Sequence, residues 1–197
     1  FHSSPATNRQ SIQNVEDILM VLAGYQIQCR VYMVPLLKIQ QKIMADAPNK
    51  LWVILFRRAM IRIASRIAEK IDAPALVSGE SVGQVASQTL SNIRATADAA
   101  DRPILRPLCG MNKEDIVNLA QKIGTYEISI EPYEDCCSFF VPIHPETKAD
   151  LSHVIKVESA IDFGGLFDEA IDNTTISTIQ HPDYTKEKTK ILEEVDD

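Results

Sequence analysis

The chain contains few cysteines, and those it has are scattered. Only 4 Cys occur among 197 residues. They lack the paired spacing of a disulfide framework, so we expect a reducing, cytoplasmic setting. No CxxC or HxxxH spacing is present either, and structural zinc usually takes paired ligands only a few residues apart. These absences argue against a disulfide-stabilised secreted domain and against a structural zinc site.

The sequence also lacks a long hydrophobic run and an excess of positive charge. The longest apolar run, Leu51 to Phe56, stops at Arg57 and Arg58, far short of the roughly 20 residues that a bilayer-spanning helix needs. The first residues have neither a basic start nor an apolar stretch, so we expect no signal peptide. The net charge of −7 argues against nonspecific nucleic-acid binding as the main function, although an acidic enzyme can carry a local basic face. We therefore expect a soluble protein with no membrane partner.

Strand and helix patterns alternate along most of the chain. Helical spacing of apolar residues predicts a helix over Ser11–Leu22 that stops at Gly24, and a central helix over Leu51–Ile71. Val82–Ala99 is also predicted to be helical, and Asn112 is predicted to cap a further helix. The predicted strands are "CRVYMVP", "PALVSGE" and "PILRPL". This alternation predicts an α/β fold with a parallel sheet and helices on both faces.

The composition changes near residue 150. From Asp150 onward the strand signals fade, and the end of the chain, "KEKTKILEEVDD", carries mixed charge. We interpret 1–150 as the domain and 151–197 as a C-terminal appendage with one or two helices and a poorly ordered tip.

Polar loops follow the predicted strands, where ligands bind in open parallel sheets. The first loop, "SGESVGQVASQ" at 78–88, has Gly79 and Gly83 for close backbone approach and many polar side chains. It is equally consistent with a simple glycine turn before a capped helix. In the second loop, "RPLCGMNKED", Arg106 is expected to pair with a carboxylate and Cys109 to pack, with anion binding and thiol chemistry as the alternatives.

The third loop, "PYEDCC", places Cys136 and Cys137 side by side after two carboxylates. A bridge within the pair is not expected, because disulfide geometry requires Cα atoms at least ~4.4 Å apart, whereas a trans peptide holds them near ~3.8 Å. Either the two thiols pack as small hydrophobic side chains, or one of them is reactive. The residues alone leave both alternatives open.

A row of basic residues lies on one face of the predicted central helix. Arg58, Arg62, Arg66 and Lys70 recur every four residues, which predicts a solvated face, with phosphate contact to a nucleic acid as the alternative. Arg57 lies about 100° around the helix from Arg58. Because it would stand beside an apolar surface, we expect it to have a partner.

Three long segments together resemble the adenine-nucleotide-binding domain of the tRNA 4-thiouridine synthetase family, also known as thiamine biosynthesis sulfurtransferases. They are "GESVGQVASQTLSNI", "RPLCGMNKEDIVNLAQKIGTYEISI" and "PYEDCC" with the residues that follow it, and the resemblance runs from about Phe1 to Lys148. It implies a PP-loop ATP pyrophosphatase fold. It also implies that ATP activates O4 of a tRNA uridine, that a cysteine-borne persulfide supplies sulfur, and that the same family feeds the thiamine thiazole.

The resemblance also assigns residues and partners. Adenine-nucleotide contacts fall on Phe1, Arg57, Gly79 and Gln88, and the sulfur-handling cysteine falls on Cys137, with Cys136 as the alternative in a shifted register. ATP and Mg²⁺ are the implied cofactors, with Glu80 and Asp135 as candidate ligands or orienting groups for the metal. The implied partners are tRNA, a cysteine desulfurase or another persulfide donor, and a sulfur-carrier protein, and a homodimer is left open.

Some family features lie outside these residues. The Ser-Gly-Gly-x-Asp-Ser phosphate loop and the tRNA-binding regions that precede it in the family do not occur here, so we expect a fragment that cannot complete the reaction alone. Two other functions stay open. One is a different PP-loop ATP pyrophosphatase, such as an amide-forming ligase, and the other is a non-catalytic nucleotide-binding or dimerising module.

Overall fold

The structure, a computed structural model, describes residues 1–7, 10–132, 140, 142 and 144–180. No helix within these ranges combines the length and the apolar character needed to cross a bilayer. The described residues form eight α-helices and four short strands. The helices are α1 (Gln10–Gln26), α2 (Leu37–Asp46), α3 (Trp52–Lys70), α4 (Leu90–Ala97), α5 (Lys113–Lys122), α6 (Tyr126–Ser129), α7 (Leu151–Ser159) and α8 (Leu166–Asp172); the strands are β1 (Gln28–Met33), β2 (Leu76–Val77), β3 (Ile104–Leu105) and β4 (Thr175–Gln180).

The strands pair in two ways, and only one of them was predicted. β2 and β3 are parallel, with Leu76 opposite Ile104, and a parallel bridge joins His2 to Pro35. β1 and β4, however, pair antiparallel over their full length, with Cys29 opposite Ile179. The prediction of a parallel sheet is therefore confirmed for β2 and β3, whereas the strand partner of β1 among the described residues runs antiparallel. A larger parallel sheet with helices on both faces stays a prediction.

Helix α3 lies at the centre of the hydrophobic core, as its apolar circumference predicted. Its residues Ile54, Phe56 and Ile63 are at most 1% exposed. Side chains from α2, α4, α7 and α8 pack into the same cluster. Burying large apolar side chains stabilises the fold by roughly 1.5–3 kcal/mol each, so α3 contributes much of the stability of this core cluster.

The last described segment adds two helices and one strand. Helices α7 and α8 both lie after residue 150. Strand β4 was not predicted, because most of its side chains are exposed and it has no buried apolar stripe. Val154 of α7 and Ala170 of α8 belong to the core cluster. The division into 1–150 and 151–197 stays a prediction.

Three helix boundaries test the sequence patterns. Helix α1 continues through Gly24 to Gln26, and the left-handed residue that follows it is Ile27, with φ 68°. Helix α4 begins at Leu90 rather than Val82, because the Thr89 side chain caps it by accepting a hydrogen bond from the Asn92 N–H. Asn112 caps α5 as predicted, accepting from the Asp115 N–H at 2.9 Å.

Candidate functional site

A pocket of about 230 Å³ lies between α3 and the carboxyl end of β2. Pockets for drug-sized ligands usually measure ~300–1,000 Å³, so this one suits a single ring system better than a whole nucleotide. Most of its wall is apolar, and the charged groups in it are one arginine and one glutamate. The lining residues are Phe1, Arg57, Met60, Ile61, Ala64, Leu76, Val77, Ser78, Glu80 and Ile104.

Arg57 reaches the pocket because of its position on α3. It shares one face of the helix with Met60, Ile61 and Ala64, which follow at three-, four- and seven-residue spacing and also line the pocket. Its Nη1 donates at 3.3 Å to Ser87 Oγ and at 3.4 Å to the Ser87 carbonyl, and its Nη2 donates to Glu80 Oε1. The predicted partner of Arg57 is therefore a carboxylate from the first polar loop.

Glu80 joins two arginines across the carboxyl ends of β2 and β3. Its Oε1 pairs with Arg57, and its Oε2 accepts from Arg106 Nε at 2.6 Å. Because β2 and β3 are parallel, the loops that follow them emerge at the same edge, and this brings Glu80 next to Arg106. The expectation that Arg106 pairs with a carboxylate is confirmed.

The first polar loop, 78–88, is stabilised by hydrogen bonds within the loop. The Gln88 carbonyl accepts from the Gly83 N–H at 3.0 Å, and Gln88 Oε1 accepts from the Ser81 N–H at 3.3 Å. Gly83 has φ +79°, a conformation that glycine adopts at little cost. Ser81 Oγ donates to the Met111 carbonyl at 3.1 Å, so this loop is also tied to the one that follows β3.

The predicted nucleotide-contact residues lie around this pocket in different ways. Phe1 and Arg57 line it, and Gly79 stands between the lining residues Ser78 and Glu80. Gln88 does not line the pocket, but it follows Ser87, which accepts from Arg57. Cys136 and Cys137 lie outside the described residues, as do Glu134 and Asp135. Cys109 is a half-buried free thiol.

The described residues do not fit a magnesium site. In the ranges that the structure covers, no group of three or more His, Cys, Asp or Glu side chains is placed to hold a metal ion. Glu80, the carboxylate nearest the pocket, already has both oxygens paired with arginines. Both oxygens of this carboxylate are therefore engaged by protein side chains.

Three of the four residues in the basic row on α3, namely Arg58, Arg62 and Arg66, pair with acidic residues of later elements. Arg58 is 1% exposed and binds Glu158 of α7 at 2.7 Å and Asp98 after α4 at 3.2 Å. Arg62 also binds Glu158 at 2.7 Å, and the exposed Arg66 pairs with Asp168 at 2.9 Å. The prediction of a solvated face is therefore wrong for Arg58, which is a buried structural residue.

Glu158 is stabilised in its charged form. Burial alone would raise the pKa of its carboxyl group, but hydrogen bonds from Arg62 and Arg58, together with their charges, hold the pKa below its ordinary value. This carboxylate joins α7 to α3, and neither it nor its two arginines line the pocket.

Sequence reasoning missed the apolar wall of the pocket. Met60, Ile61 and Ala64 were assigned only to the general apolar surface of the central helix. Their spacing from Arg57 on one helical face would have identified them once Arg57 was taken as a contact residue.

Comparison with known proteins gives one consistent family. The sequence model of the family described as thiamine biosynthesis protein (ThiI) matches residues 1–163. A probable tRNA sulfurtransferase of Moorella thermoacetica is 44% identical over 180 residues, covering 91% of this chain and 46% of that protein. A probable tRNA sulfurtransferase of Clostridium kluyveri is 43% identical over 179 residues, covering 91% of this chain and 47% of that protein.

A solved structure has a closely similar fold. The crystal structure of a 4-thiouridine synthetase in complex with RNA and with bound ATP superimposes with a TM-score of 0.86 at 41% sequence identity. The match covers 91% of this chain and 47% of that chain. The present chain thus spans about half the length of the proteins that it matches.

Proposed function

This chain belongs to the thiamine biosynthesis protein (ThiI) family, and from that premise we propose that it is the nucleotide-holding part of an ATP-dependent tRNA sulfurtransferase that makes 4-thiouridine. The named relatives and the RNA- and ATP-bound neighbour support this function. The proposal concerns the whole protein, since the chain spans less than half of those relatives. It includes sulfur supply for the thiamine thiazole.

The observation that carries the proposal is the position of Arg57. Arg57 lines the pocket together with Phe1, and its guanidinium is held by the buried carboxylate of Glu80 and by Ser87 of the loop 78–88. A small apolar pocket with one oriented charged donor suits the adenosine end of ATP. The triphosphate would need a cradle of backbone N–H groups, which we assign to a part of the full-length protein outside these residues.

The proposed reaction has three steps. A uridine carbonyl is a poor electrophile, so O4 first attacks the α-phosphorus of ATP, and an O–P bond forms as pyrophosphate leaves. The terminal sulfur of the cysteine persulfide then attacks C4, and the C–S bond forms as the C–O bond breaks and AMP leaves. A thiol reductant finally attacks the cysteine sulfur, so the S–S bond breaks, 4-thiouridine is released, and the cysteine is left in a disulfide that a second reductant thiol reduces. In this scheme the described residues bind and orient the nucleotide.

We assign the sulfur to Cys137, with Cys136 as the alternative, on the family register alone. Both lie outside the described residues. The acidic neighbours Glu134 and Asp135 would raise the pKa of either thiol, so the scheme requires a compensating positive group near the pair. The proposed partners are tRNA and a cysteine desulfurase or another persulfide donor, and Mg²⁺ is proposed only for the part of the site outside the described residues.

The test is Arg57→Met in the full-length protein. Methionine keeps much of the side-chain length but removes the charged donor, and a hydrogen bond to a charged group contributes about 1.5–3 kcal/mol. We therefore expect the KM for ATP in tRNA thiolation to rise about 10- to 100-fold. The measurement is 4-thiouridine formation at increasing ATP concentration with a sulfur donor present.

Arg66→Met is the matched control. Arg66 lies on the same helix and pairs with an exposed carboxylate, Asp168, but it does not line the pocket, so its KM for ATP should stay unchanged. Equal KM values for ATP in the unsubstituted protein, Arg57→Met and Arg66→Met would show that Arg57 does not contribute to nucleotide binding. If the unsubstituted protein binds ATP tightly but forms no 4-thiouridine, another PP-loop enzyme is favoured. If the unsubstituted protein consumes no ATP at all, a non-catalytic module is favoured.

A further inference from the structure

Glu80 is more deeply enclosed than the arginines that it binds. Its side chain is 6% exposed, whereas those of Arg57 and Arg106 are 18% and 16% exposed. One carboxylate oxygen serves each arginine. Arg57 touches the pocket directly, but Arg106 does not line it. Glu80, which also lines the pocket, therefore links Arg57 to an arginine outside the lining.

We infer that Glu80 is a positioning residue that fixes the guanidinium of Arg57 for the nucleotide, with Arg106 as its second anchor. This inference rests on the proposed function of the pocket. It assigns to Glu80 a role in the reaction that acts through Arg57 and does not require contact with ATP.

The contacts of Arg57 explain why such an anchor is needed. Its other described hydrogen bonds, to the carbonyl and hydroxyl of Ser87, are long at 3.4 and 3.3 Å. An arginine side chain has many rotamers, and ordering it is costly when a ligand must do so. A carboxylate that already holds the guanidinium removes that cost before binding, which is how preorganisation increases affinity.

The second arginine explains why Glu80 itself stays in place. Arg106 Nε donates to Glu80 Oε2 at 2.6 Å, and Arg106 Nη1 donates to the Ile104 carbonyl at 3.3 Å. The carboxylate is thereby tied to the backbone of β3. It also separates two guanidinium groups, so the cluster keeps one net positive charge beside the pocket.

The geometry argues against the alternative role of metal ligand. Each oxygen of Glu80 already accepts from an arginine, so a cation would have to share this carboxylate with two guanidinium groups. A positively charged cluster also repels a divalent ion. If Glu80 held Mg²⁺, its removal would affect ATP affinity whether or not Arg57 was present.

The experiment is a double-mutant cycle on ATP affinity in the full-length protein. Glu80→Gln keeps the shape of the side chain and removes its charge. When Arg57 is unsubstituted, we expect Glu80→Gln to raise the Kd for ATP about tenfold. In the Arg57→Met background the same change should leave the Kd within about twofold, because Glu80 acts through Arg57.

Two further variants complete the design. Arg106→Met should raise the Kd for ATP as Glu80→Gln does, although Arg106 does not line the pocket. Asp168→Asn is the matched control, since Asp168 also pairs with an arginine of α3 but is 74% exposed, and its Kd should stay unchanged. The melting temperature of each variant, measured in parallel, shows whether the protein remains folded.

The possible outcomes distinguish failure of the positioning role of Glu80 from failure of the proposed nucleotide-binding function. Effects of Glu80→Gln and Arg57→Met that simply add, or an effect of Glu80→Gln that depends on Mg²⁺ concentration, would overturn the positioning role and leave the nucleotide site intact. Absence of measurable ATP binding by the unsubstituted protein would overturn the proposed function, and the inference with it. Loss of the Glu80→Gln effect in the Arg57→Met background would support both.

Discussion

Two glutamates of this protein are each held by two arginines, yet they belong to different parts of the molecule. Glu80 joins Arg57 and Arg106 beside the pocket, and Glu158 joins Arg58 and Arg62 in the contact between α3 and α7. Arg57 and Arg58 are neighbours in the sequence. Because consecutive helical residues point about 100° apart, Arg57 lines the pocket and Arg58 is buried in the core.

The difference lies in what surrounds each arginine. Arg58 is 1% exposed and also donates to the Ala95 carbonyl and to Asp98, so it joins α3 to the region of α4 and to α7. Arg57 is 18% exposed and faces an open pocket. The same residue type therefore stabilises the fold at one position and remains available to a ligand at the next.

The largest effect on stability should come from Arg58→Met. Removing one partner from a buried ion pair typically costs about 3–5 kcal/mol, and this change also removes the donor to the Ala95 carbonyl. We expect hydrogen exchange of the α3 amides in the full-length protein to report a loss of local opening free energy of that size.

Arg57→Met is the control that sharpens the comparison. Its Ser87 contacts are long, and Glu80 keeps Arg106, so the same measurement should give about 1 kcal/mol. Equal losses in the two variants would remove the distinction between a structural and a functional arginine.

A smaller, pH-dependent effect should follow Glu158→Gln. The pKa of Glu158 is held below its ordinary value of 4.5 in the folded protein, so this carboxylate contributes stability above about that pH and loses the contribution as the pH falls through the folded pKa. At neutral pH we expect the variant to lose about 1–3 kcal/mol. The difference from the unsubstituted protein should shrink as the pH is lowered toward 3.

The measurement is hydrogen exchange of α7 in both proteins across this pH range. Asp168→Asn serves as control, since its exposed pair with Arg66 should contribute less than about 1 kcal/mol. A difference between Glu158→Gln and the unsubstituted protein that grows in acid would contradict the assigned direction of the pKa shift.

Much of the local structure was predictable because its causes are local. The apolar pattern of α3 and the cap at Asn112 both act within one or two helical turns, and both were predicted. Helix α4 is shorter than the predicted Val82–Ala99. Gly83 adopts a positive φ and Thr89 caps the helix, so the helix begins at Leu90 although apolar residues recur from Val82 onward.

The long-range pairings could not be predicted from the sequence in the same way. Arg58 and Glu158 are 100 residues apart, and nothing in the spacing of charges identifies the partner of either. Strand β4 pairs with β1 across an even longer separation, from Gln28 opposite Gln180 to Met33 opposite Thr175. Most side chains of β4 are exposed, so no buried apolar pattern identified it as a strand.

The candidate site was predictable in part for the same reasons. Loop 78–88 and the separate face of Arg57 followed from patterns in the sequence, whereas the assignment of Phe1 and Gln88 came from the family resemblance. That one carboxylate, Glu80, joins both arginines required the structure, because it depends on β2 and β3 ending at the same edge.

The most direct test of the proposed function separates uridine activation from sulfur transfer. In the full-length protein, Cys137→Ser should abolish 4-thiouridine formation, because displacement at C4 needs a sulfur that serine cannot carry. Release of AMP that depends on tRNA should remain measurable, because adenylation needs ATP and the nucleotide pocket but no thiol. Cys136→Ser should reduce 4-thiouridine formation less than Cys137→Ser does, and its AMP release should also remain measurable.

The decisive measurement is therefore 4-thiouridine and AMP in the same reaction, with ATP, tRNA and a persulfide donor, for the unsubstituted protein, the two single variants and the double variant. The account predicts AMP release without thiolation for Cys137→Ser. Loss of thiolation only in Cys136→Ser would transfer the sulfur role to Cys136. Normal thiolation by the double variant would contradict the account, since sulfur transfer would then require neither thiol.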